Sequence, residues 1–230
     1  MKAPIKIGDY NGAERLWSEA EKVRGIFISF EGGEGTGKTT QAKLLYDYFL
    51  KRGEKVVLTR EPGGTKIGER IRKILLDEEN KELVDRAEVL LYAAARAQHL
   101  KEVVKPALEE GKVVLCDRFF DSTLVYQGEA RGIDKKIIAQ INQFATEGLT
   151  PDLTILLDLP AEVGLKRIKQ KSRLDKESRA FHQKVRRGFL RLAGENPQRI
   201  KLFKANLNPQ SLHLKIVEYV RGVIRKVRQA

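Results

Sequence analysis

The sequence predicts an α/β fold, with a five-stranded parallel sheet and helices on both of its faces. Three observations support this fold class. After residue 25, short β-branched runs alternate with longer amphipathic segments, which is typical of parallel strands connected by helices. A glycine-rich stretch links the first of these runs to a helical pattern. Finally, 230 residues with 41% hydrophobic content suffice for one large domain with its own core.

The predicted strands and helices follow one another in a regular order. Strands are predicted at 26–31, 55–59, 113–117, 153–158 and 200–203. Helices are predicted at about 38–51, 66–76, 81–110, 134–147, 158–171 and 177–193, and from 209 to the C-terminus. Asp134 is a suitable N-cap, and Gly53 and Gly148 are suitable helix ends. Pro106 lacks a backbone N–H and is expected to kink or restart the long third helix.

Residues 32–39 have the pattern G-x-x-x-x-G-K-[ST] between a predicted strand and a predicted helix, which indicates a phosphate-binding loop. Its glycines allow backbone N–H groups to turn toward phosphate oxygens. Lys38 can reach the β- and γ-phosphates, and the Thr39 hydroxyl is placed to ligate Mg²⁺. A plain glycine-rich hairpin would give no reason for Lys-Thr-Thr after the last glycine. The predicted nucleotide-binding residues are Gly32, Gly33, Glu34, Gly35, Thr36, Gly37, Lys38, Thr39 and Thr40.

Charged residues also follow the second and third strands, at the edge where open α/β folds bind ligands. Arg60 follows the second strand and could clamp a second phosphate beside a sharp turn at Pro62, although a surface turn with an incidental salt bridge would fit too. Asp117 ends the third strand and is a candidate outer-sphere ligand of Mg²⁺.

Arg118 comes next, at the position where ATPases that drive motion usually carry a carboxylate that orients water. An arginine cannot activate water, but it can hold an anionic acceptor and neutralise charge that moves between two phosphates. The sequence also contains no Asn-Lys-x-Asp element that would read guanine. Both observations favour phosphoryl transfer over an ATPase motor or a GTPase switch.

Tyr92 and Arg96 lie four residues apart on the long predicted helix and therefore share a face. An aromatic ring can stack on a nucleobase while a guanidinium donates to a carbonyl at its edge. A core tyrosine beside a surface arginine would give the same spacing. Thr123, Tyr126 and Gln127 should lie nearby, with Tyr126 able to crowd a ribose 2′-carbon.

Composition excludes several other functions. The net charge of +13 and pI of about 9.8 suit either nucleic acid or small multiply charged anions. The basic clusters lack interleaved aromatic residues, so nucleic acid is not an expected partner. Three scattered histidines and one cysteine do not suggest a protein-built zinc site, so a metal should arrive with the nucleotide. No membrane segment or secretion signal is evident, and we expect a cytoplasmic protein.

Together these motifs resemble the thymidylate kinase family of P-loop nucleoside monophosphate kinases. The resemblance lies in segments 30–40, 59–65, 92–96, 117–127 and 151–158, in the family's order, and covers roughly residues 25–220. It implies transfer of the ATP γ-phosphoryl group to dTMP, with Mg²⁺, by a homodimer with a three-layer P-loop fold and a short lid. Two alternatives remain: another P-loop nucleotide or deoxynucleoside kinase and, more remotely, a nucleic-acid-dependent ATPase.

The resemblance also implies roles for individual residues. Glu34 corresponds to the acidic residue near the acceptor 3′-hydroxyl, and Tyr126 corresponds to the residue that disfavours a ribose hydroxyl. Arg60 and Arg118 match the acceptor-phosphate positions. The thymine contacts fall on Tyr92, Arg96, Thr123 and Gln127. The predicted catalytic residues are Lys38, Arg118, Glu34 and Arg173.

The lid is predicted at about 168–178, within a single kinase domain at 25–230. Some family members carry a catalytic arginine in the phosphate loop, but this loop has none, so a lid cation should act instead. The candidates are Lys169, Lys171 and Arg173, although this basic run would also suit an ordinary solvated face. Residues 1–24 form an extension outside the resemblance, and the sequence assigns no role to it.

Overall fold

A computed structural model of the chain describes residues 24–170 and 172–229. The predicted extension therefore lies outside the described residues except for Arg24, and the lid candidate Lys171 lies outside them too. The division into an extension and a kinase domain stays a prediction.

The sheet consists of five parallel strands in the order β2-β3-β1-β4-β5. The strands are β1 Ile26–Glu31, β2 Val56–Arg60, β3 Val113–Asp117, β4 Leu153–Asp158 and β5 Ile200–Lys204. The predicted fold class is confirmed. Strands β2 and β5 each end one residue later than predicted, because Arg60 and Lys204 still pair with the ends of β3 and β4.

Helices connect the strands. They are α1 Lys38–Leu50, α2 Lys66–Leu76, α3 Asp85–His99, α4 Lys105–Glu109, α5 Phe120–Thr123, α6 Lys135–Thr146, α7 Ala161–Arg167, α8 Arg179–Glu195 and α9 Pro209–Gln229. The predicted cap at Asp134 is confirmed, since its carboxylate accepts from the N–H of Lys136 at 2.8 Å. Helix α7 ends at Arg167, before the predicted 171, and helix α8 begins after Ser178, whose hydroxyl accepts from the N–H of Phe181.

The long third helix starts later than predicted, at Asp85, and then changes its winding without breaking. A wider π-helical turn, Leu100–Val104, joins α3 to α4. In this turn the N–H of Lys105 donates to the carbonyl of Leu100, five residues back. Pro106 has no N–H to continue the four-residue pattern, so the wider turn in front of it is the expected local adjustment.

The segment after β3 was not predicted as a helix. Helix α5 continues into a second π-helical stretch, Leu124–Ala130. No side chain caps its start at Phe119, and its apolar residues do not recur at the spacing of an α-helix. The usual helix signals are therefore missing from the sequence here.

Helices cover both faces of the sheet, as predicted. Alternate residues of a strand point to opposite faces, and β1 shows this directly. Ile28 and Phe30 pack in the core formed with α1 and α9, whereas Phe27 packs with Leu100 and Val104 on the other side. The carboxyl ends of the strands are thus held at one rigid edge of the sheet.

Candidate active site

A cavity of about 850 Å³ opens at this edge. Its wall includes the start of α1, the ends of β2 and β3, one face of α3, and the segment around α7. The predicted site residues that line it are Glu34, Gly35, Thr36, Gly37, Lys38, Thr39, Thr40, Arg60, Tyr92, Arg96, Asp117, Arg118, Thr123, Tyr126 and Gln127. The fold therefore brings residues from distant parts of the sequence to one space.

The phosphate loop is closely packed against helix α7. Gly35 has φ +65° and lies so near Gly164 that a Cβ at Gly35 would sit 2.0 Å from the Gly164 carbonyl oxygen. A Cβ on Gly164 would in turn sit 2.1 Å from the carbonyl oxygen of Glu34. Only glycine fits at both positions, so the loop and helix α7 touch backbone to backbone.

Lys38 lies inside the loop. Its Nζ donates to the carbonyl of Gly33 at 2.7 Å, and the Thr36 hydroxyl donates to the same oxygen at 3.0 Å. Burial and the positive charge of Arg118 lower the pKa of Lys38 from 10.5 to about 8, although nearby carboxylates act to raise it. A bound polyphosphate would favour the charged ammonium form, so this cation suits an anionic ligand.

The candidate metal ligands Thr39 and Asp117 adjoin one another. The Thr39 hydroxyl donates to Oδ2 of Asp117 at 2.5 Å, which places two hard oxygen donors beside Lys38. Oxygen donors of this kind fit Mg²⁺, which usually takes few protein ligands and completes its shell with water and phosphate. Within the described residues no group of three or more His, Cys, Asp or Glu could hold a metal by itself.

Arg118 is held by its backbone and by its side chain. It has φ +71°, unusual for a residue other than glycine, and its N–H donates to the carbonyl of Phe30 at 2.9 Å. The guanidinium donates to Glu34 Oε1 at 2.8 Å and to the Gly32 carbonyl at 3.1 Å. Arg118 is thereby directed toward the phosphate loop, with part of its donor fork in the cavity.

Glu34 is the counter-charge of Arg118. It also accepts from the Tyr126 hydroxyl at 2.6 Å. Burial opposes its ionisation, but the charges of Arg118 and Lys38 and the hydrogen bond from Tyr126 outweigh burial and lower its pKa from 4.5 to about 2. Glu34 is therefore a carboxylate at neutral pH.

Arg60 reaches the cavity from the end of β2, after which the Glu61–Pro62 peptide is cis. Its guanidinium is half exposed and donates to Glu69 at 3.1 Å. Sequence reasoning missed Arg72, which also lines the cavity and donates to the Pro62 carbonyl at 2.8 Å. Arg72 lies seven residues after Thr65, two turns along α2, so its side chain can reach back to the turn at Pro62. In the sequence alone, this spacing did not distinguish it from the other basic residues of α2.

Tyr92 and Arg96 both line the cavity, as their spacing predicted. Arg96 is only 2% exposed, so the alternative of a surface arginine is wrong. Its Nε donates to Glu61 at 2.8 Å, and its two terminal nitrogens donate to Asn142 at 2.7 Å and Thr123 at 3.0 Å. These bonds use three of the five guanidinium N–H groups, so two remain to donate to a ligand.

The basic residues of the lid region occupy different places. Arg167 lines the cavity and donates to the Gly35 carbonyl at 3.4 Å, although the sequence did not single it out. Lys169 is exposed. Arg173 donates to the carbonyl of Leu75 at 3.2 Å and pairs with the buried carboxylate of Glu88, and it does not line the cavity. The catalytic role of Arg173 stays a prediction.

Comparisons with known proteins identify the relatives of this chain. The family model described as Thymidylate kinase matches residues 30–216. The chain belongs to the thymidylate kinase family. It is 49% identical over 205 residues to the thymidylate kinase of Geotalea uraniireducens, covering 85% of this chain and 96% of that protein. It is likewise 49% identical to the thymidylate kinase of Enterococcus faecalis over 210 residues, covering 89% and 98%.

A solved structure gives the same result. The crystal structure of thymidylate kinase from Ehrlichia chaffeensis matches with a TM-score of 0.70 and 34% sequence identity, covering 86% of this chain and 99% of that chain. Among the residues described here, no helix has the length and hydrophobicity needed to cross a bilayer. The predicted resemblance to the thymidylate kinase family is thus confirmed.

One buried carboxylate of this thymidylate kinase family member was also missed. Glu31, at the end of β1, accepts from the Phe119 N–H at 2.7 Å and from the Ser122 hydroxyl at 2.6 Å. Burial and the nearby Asp121 raise its pKa from 4.5 to about 7. Glu31 thereby fixes the backbone directly after Arg118. The signal in the sequence that could have identified this residue was a glutamate at the end of a buried strand.

Proposed function

We propose that this chain transfers the γ-phosphoryl group of ATP to the phosphate of dTMP, giving dTDP and ADP in the supply of dTTP. The observation that carries this proposal is that the Lys38 loop and the arginines Arg60 and Arg118 line the same cavity. A donor polyphosphate and an acceptor phosphate could therefore meet there. The family relationship supports this choice of substrates over those of other P-loop kinases.

The donor would bind along the start of α1. Backbone N–H groups of the loop and Lys38 would hold the β- and γ-phosphates. The adenine would lie at the apolar end of the cavity, which includes Ala205, Leu207 and Pro209. Thr39 and Asp117 would hold Mg²⁺, which supplies charge neutralisation for the bound phosphates.

The acceptor phosphate would lie between Arg60 and Arg118. In the reaction, an acceptor phosphate oxygen forms a bond to the γ-phosphorus while the bond from that phosphorus to the bridging oxygen of ADP breaks. Negative charge moves between two phosphates that repel each other. Arg118, which keeps its charge at any physiological pH, would stabilise that charge, and its bond to Glu34 would keep it in position. Catalysis is then mostly positioning and electrostatics.

The acceptor base would occupy the end of the cavity near α3. Tyr92 would stack on thymine, Arg96 would donate to a carbonyl of the base, and Thr123 and Gln127 would complete the edge contacts. Tyr126 would crowd a ribose 2′-hydroxyl. Closure of the lid, with Lys169, Lys171 or Arg173 as its cation, would exclude water and prevent hydrolysis of ATP.

A panel of acceptors tests the proposal. The purified protein is incubated with ATP and Mg²⁺ and with dTMP, dUMP, dCMP, dGMP or thymidine, and the products are separated by ion-exchange chromatography. We expect dTDP from dTMP as the preferred reaction. Preference for a different acceptor would support another P-loop kinase. ATP hydrolysis that DNA stimulates, without any diphosphate product, would support the ATPase alternative and overturn the proposal.

We also propose that the protein acts as a homodimer in the cytoplasm, where nucleotides are made. Helices α3 and α6 pack together and carry large exposed apolar side chains, which a partner subunit would cover. Phe144 is 87% exposed, Leu90 59% and Ile137 50%. Ile137 and Phe144 are seven residues apart and share one face of α6.

A further inference from the structure

Glu88 is a buried acceptor of hydrogen bonds from three residues on two separate segments. It lies on α3, one turn before Tyr92, and is 0% exposed. Its Oε1 accepts from Gln127 Nε2 at 2.7 Å and from Arg131 Nε at 2.9 Å. Its Oε2 accepts from Arg131 at 3.2 Å and also pairs with Arg173. Glu88 itself does not line the cavity, whereas Gln127 does.

The charge of Glu88 determines how the amide of Gln127 is turned. Burial opposes its ionisation, but hydrogen bonds from Arg131, Arg173 and Gln127 outweigh burial and hold the pKa of Glu88 below its ordinary 4.5. An ionised carboxylate has only acceptors, so the Gln127 group that faces it must be the NH₂. The side-chain carbonyl oxygen of Gln127 then points away from Glu88, and no described residue donates a hydrogen bond to it.

We propose that Glu88 is a positioning residue that fixes the Gln127 amide with its carbonyl oxygen toward the acceptor base, and so selects a base whose N3 carries a hydrogen. This inference rests on the proposed function, because it deepens the base selectivity of the same site. Without Glu88 the amide could turn over, since its two ends are nearly equal in size, and the selectivity would be lost.

The remaining edge of the site matches this selection. Bonds to Glu61, Asn142 and Thr123 hold Arg96 in place. A guanidinium has no acceptor, so Arg96 presents only donors to the base. A donor from Arg96 beside an acceptor from Gln127 complements the O4 and N3–H of thymine. Cytosine would place an amino group against a donor and a bare N3 against an acceptor. Both contacts would be unpaired and desolvated, which is costly in a buried site.

Two nucleotides that differ only at this edge provide the test: dTMP and 5-methyl-dCMP. The ratio of their kcat/KM values is measured with ATP and Mg²⁺ for wild type and Glu88→Gln. We expect the ratio to fall by at least about tenfold in Glu88→Gln, because the neutral amide at position 88 accepts either orientation of Gln127. Most of the change should lie in the KM of the two acceptors.

Two further variants separate orientation from general structure. Gln127→Met leaves Glu88 and its arginines intact and should lower the ratio as much as Glu88→Gln, and the double variant should lower it no further. Arg131→Gln removes another partner of Glu88 but keeps Gln127 in place, and should change the ratio by less than about twofold. Thermal unfolding reports whether each variant is folded.

The outcomes are distinct. An unchanged ratio in folded Glu88→Gln overturns the inference, and so does an equal fall in Arg131→Gln. If Glu88→Gln does not fold, an unchanged ratio in Gln127→Met overturns it alone. A wild-type protein that phosphorylates neither nucleotide would refute the proposed function instead, so the two failures cannot be confused.

Discussion

Arg118 and Glu34 form an ion pair that constrains both side chains in the cavity. Arg118 holds a left-handed backbone conformation, which costs on the order of 1 kcal/mol for a residue with a Cβ. Its N–H bond to Phe30 and its ion pair with Glu34 offset that cost. The pair keeps the arginine in place before any phosphate arrives, which lowers the reorganisation needed at the moment of reaction.

The lowered pKa of Glu34 predicts a pH-dependent stability. Its ionised form stabilises the folded state fully above about pH 4.5, and this contribution is lost as pH falls through about 2. We expect Glu34→Gln to lower the free energy of unfolding by about 2 kcal/mol at pH 7. Urea unfolding should show this difference shrinking between pH 4.5 and pH 2. Glu109→Gln, which changes an exposed carboxylate on α4, is the matched control.

Lys38 provides a second prediction at this scale. Lys38→Ala should lower kcat by about a hundredfold or more, because the variant loses the cation nearest the transferred phosphoryl group. The fold should remain intact, because burial and repulsion from Arg118 together outweigh the attraction between the lysine and the nearby carboxylates. Steady-state kinetics and thermal unfolding measure the two effects. Turnover like that of the wild type would remove the phosphate-loop assignment.

At the scale of elements, helix α3 lines the end of the cavity where we propose that the acceptor base binds. Glu88, Tyr92, Arg96 and His99 recur at three- and four-residue spacings and so lie along one face. His99 is itself fixed, because its ring bonds Glu61 at 2.9 Å and the Thr59 hydroxyl at 2.7 Å. The buried Glu61, in the turn after β2, therefore links this turn to Arg96 and His99 of α3.

Arg96→Lys tests this linkage. The lysine keeps a positive charge near Glu61 but cannot form the planar fork toward Asn142 and Thr123. The KM for dTMP should rise by at least about tenfold, while the KM for ATP should stay within about twofold. An unchanged acceptor KM would refute the role of Arg96 in reading the base. Equal rises in both KM values would indicate a general loss of structure instead.

Elements with strong local signals were predictable from the sequence, and elements without them were not. Strands β1, β3 and β4 matched their predicted limits because buried parallel strands read as continuous apolar runs. The stretch 120–130 was missed because π-helical winding follows neither the 3.6-residue nor the two-residue period. The pairing of Arg173 with Glu88 joins residues 85 positions apart, which no local pattern reveals.

At the scale of the whole molecule, strand order brings the site together. β1 lies in the centre of the sheet, between β3 and β4, so the phosphate loop that follows it adjoins both Asp117 and helix α7. Chain connections run to opposite sides of β1, and open α/β sheets bind ligands at such a point. The sequence predicted many of the residues that line the cavity, although not Arg72 or Arg167. The strand order was not predictable because it depends on contacts distant in sequence.

The exposed apolar side chains of α3 and α6 predict the state of association. Phe144→Glu should convert a homodimer into a monomer, because it places a charge in an apolar interface. Sedimentation equilibrium measures the mass directly. The control Leu214→Glu changes another large exposed side chain, on α9, and should leave the mass unchanged. A monomeric wild type would contradict the proposal.

The contact between Gly35 and Gly164 has a mechanical consequence. With no side chain between them, the phosphate loop and helix α7 cannot approach further without a clash between their backbones. A ligand that pushed the loop toward α7 would therefore have to move the helix as well. Such a push would pass directly from backbone to backbone, with no intervening side chain to absorb it.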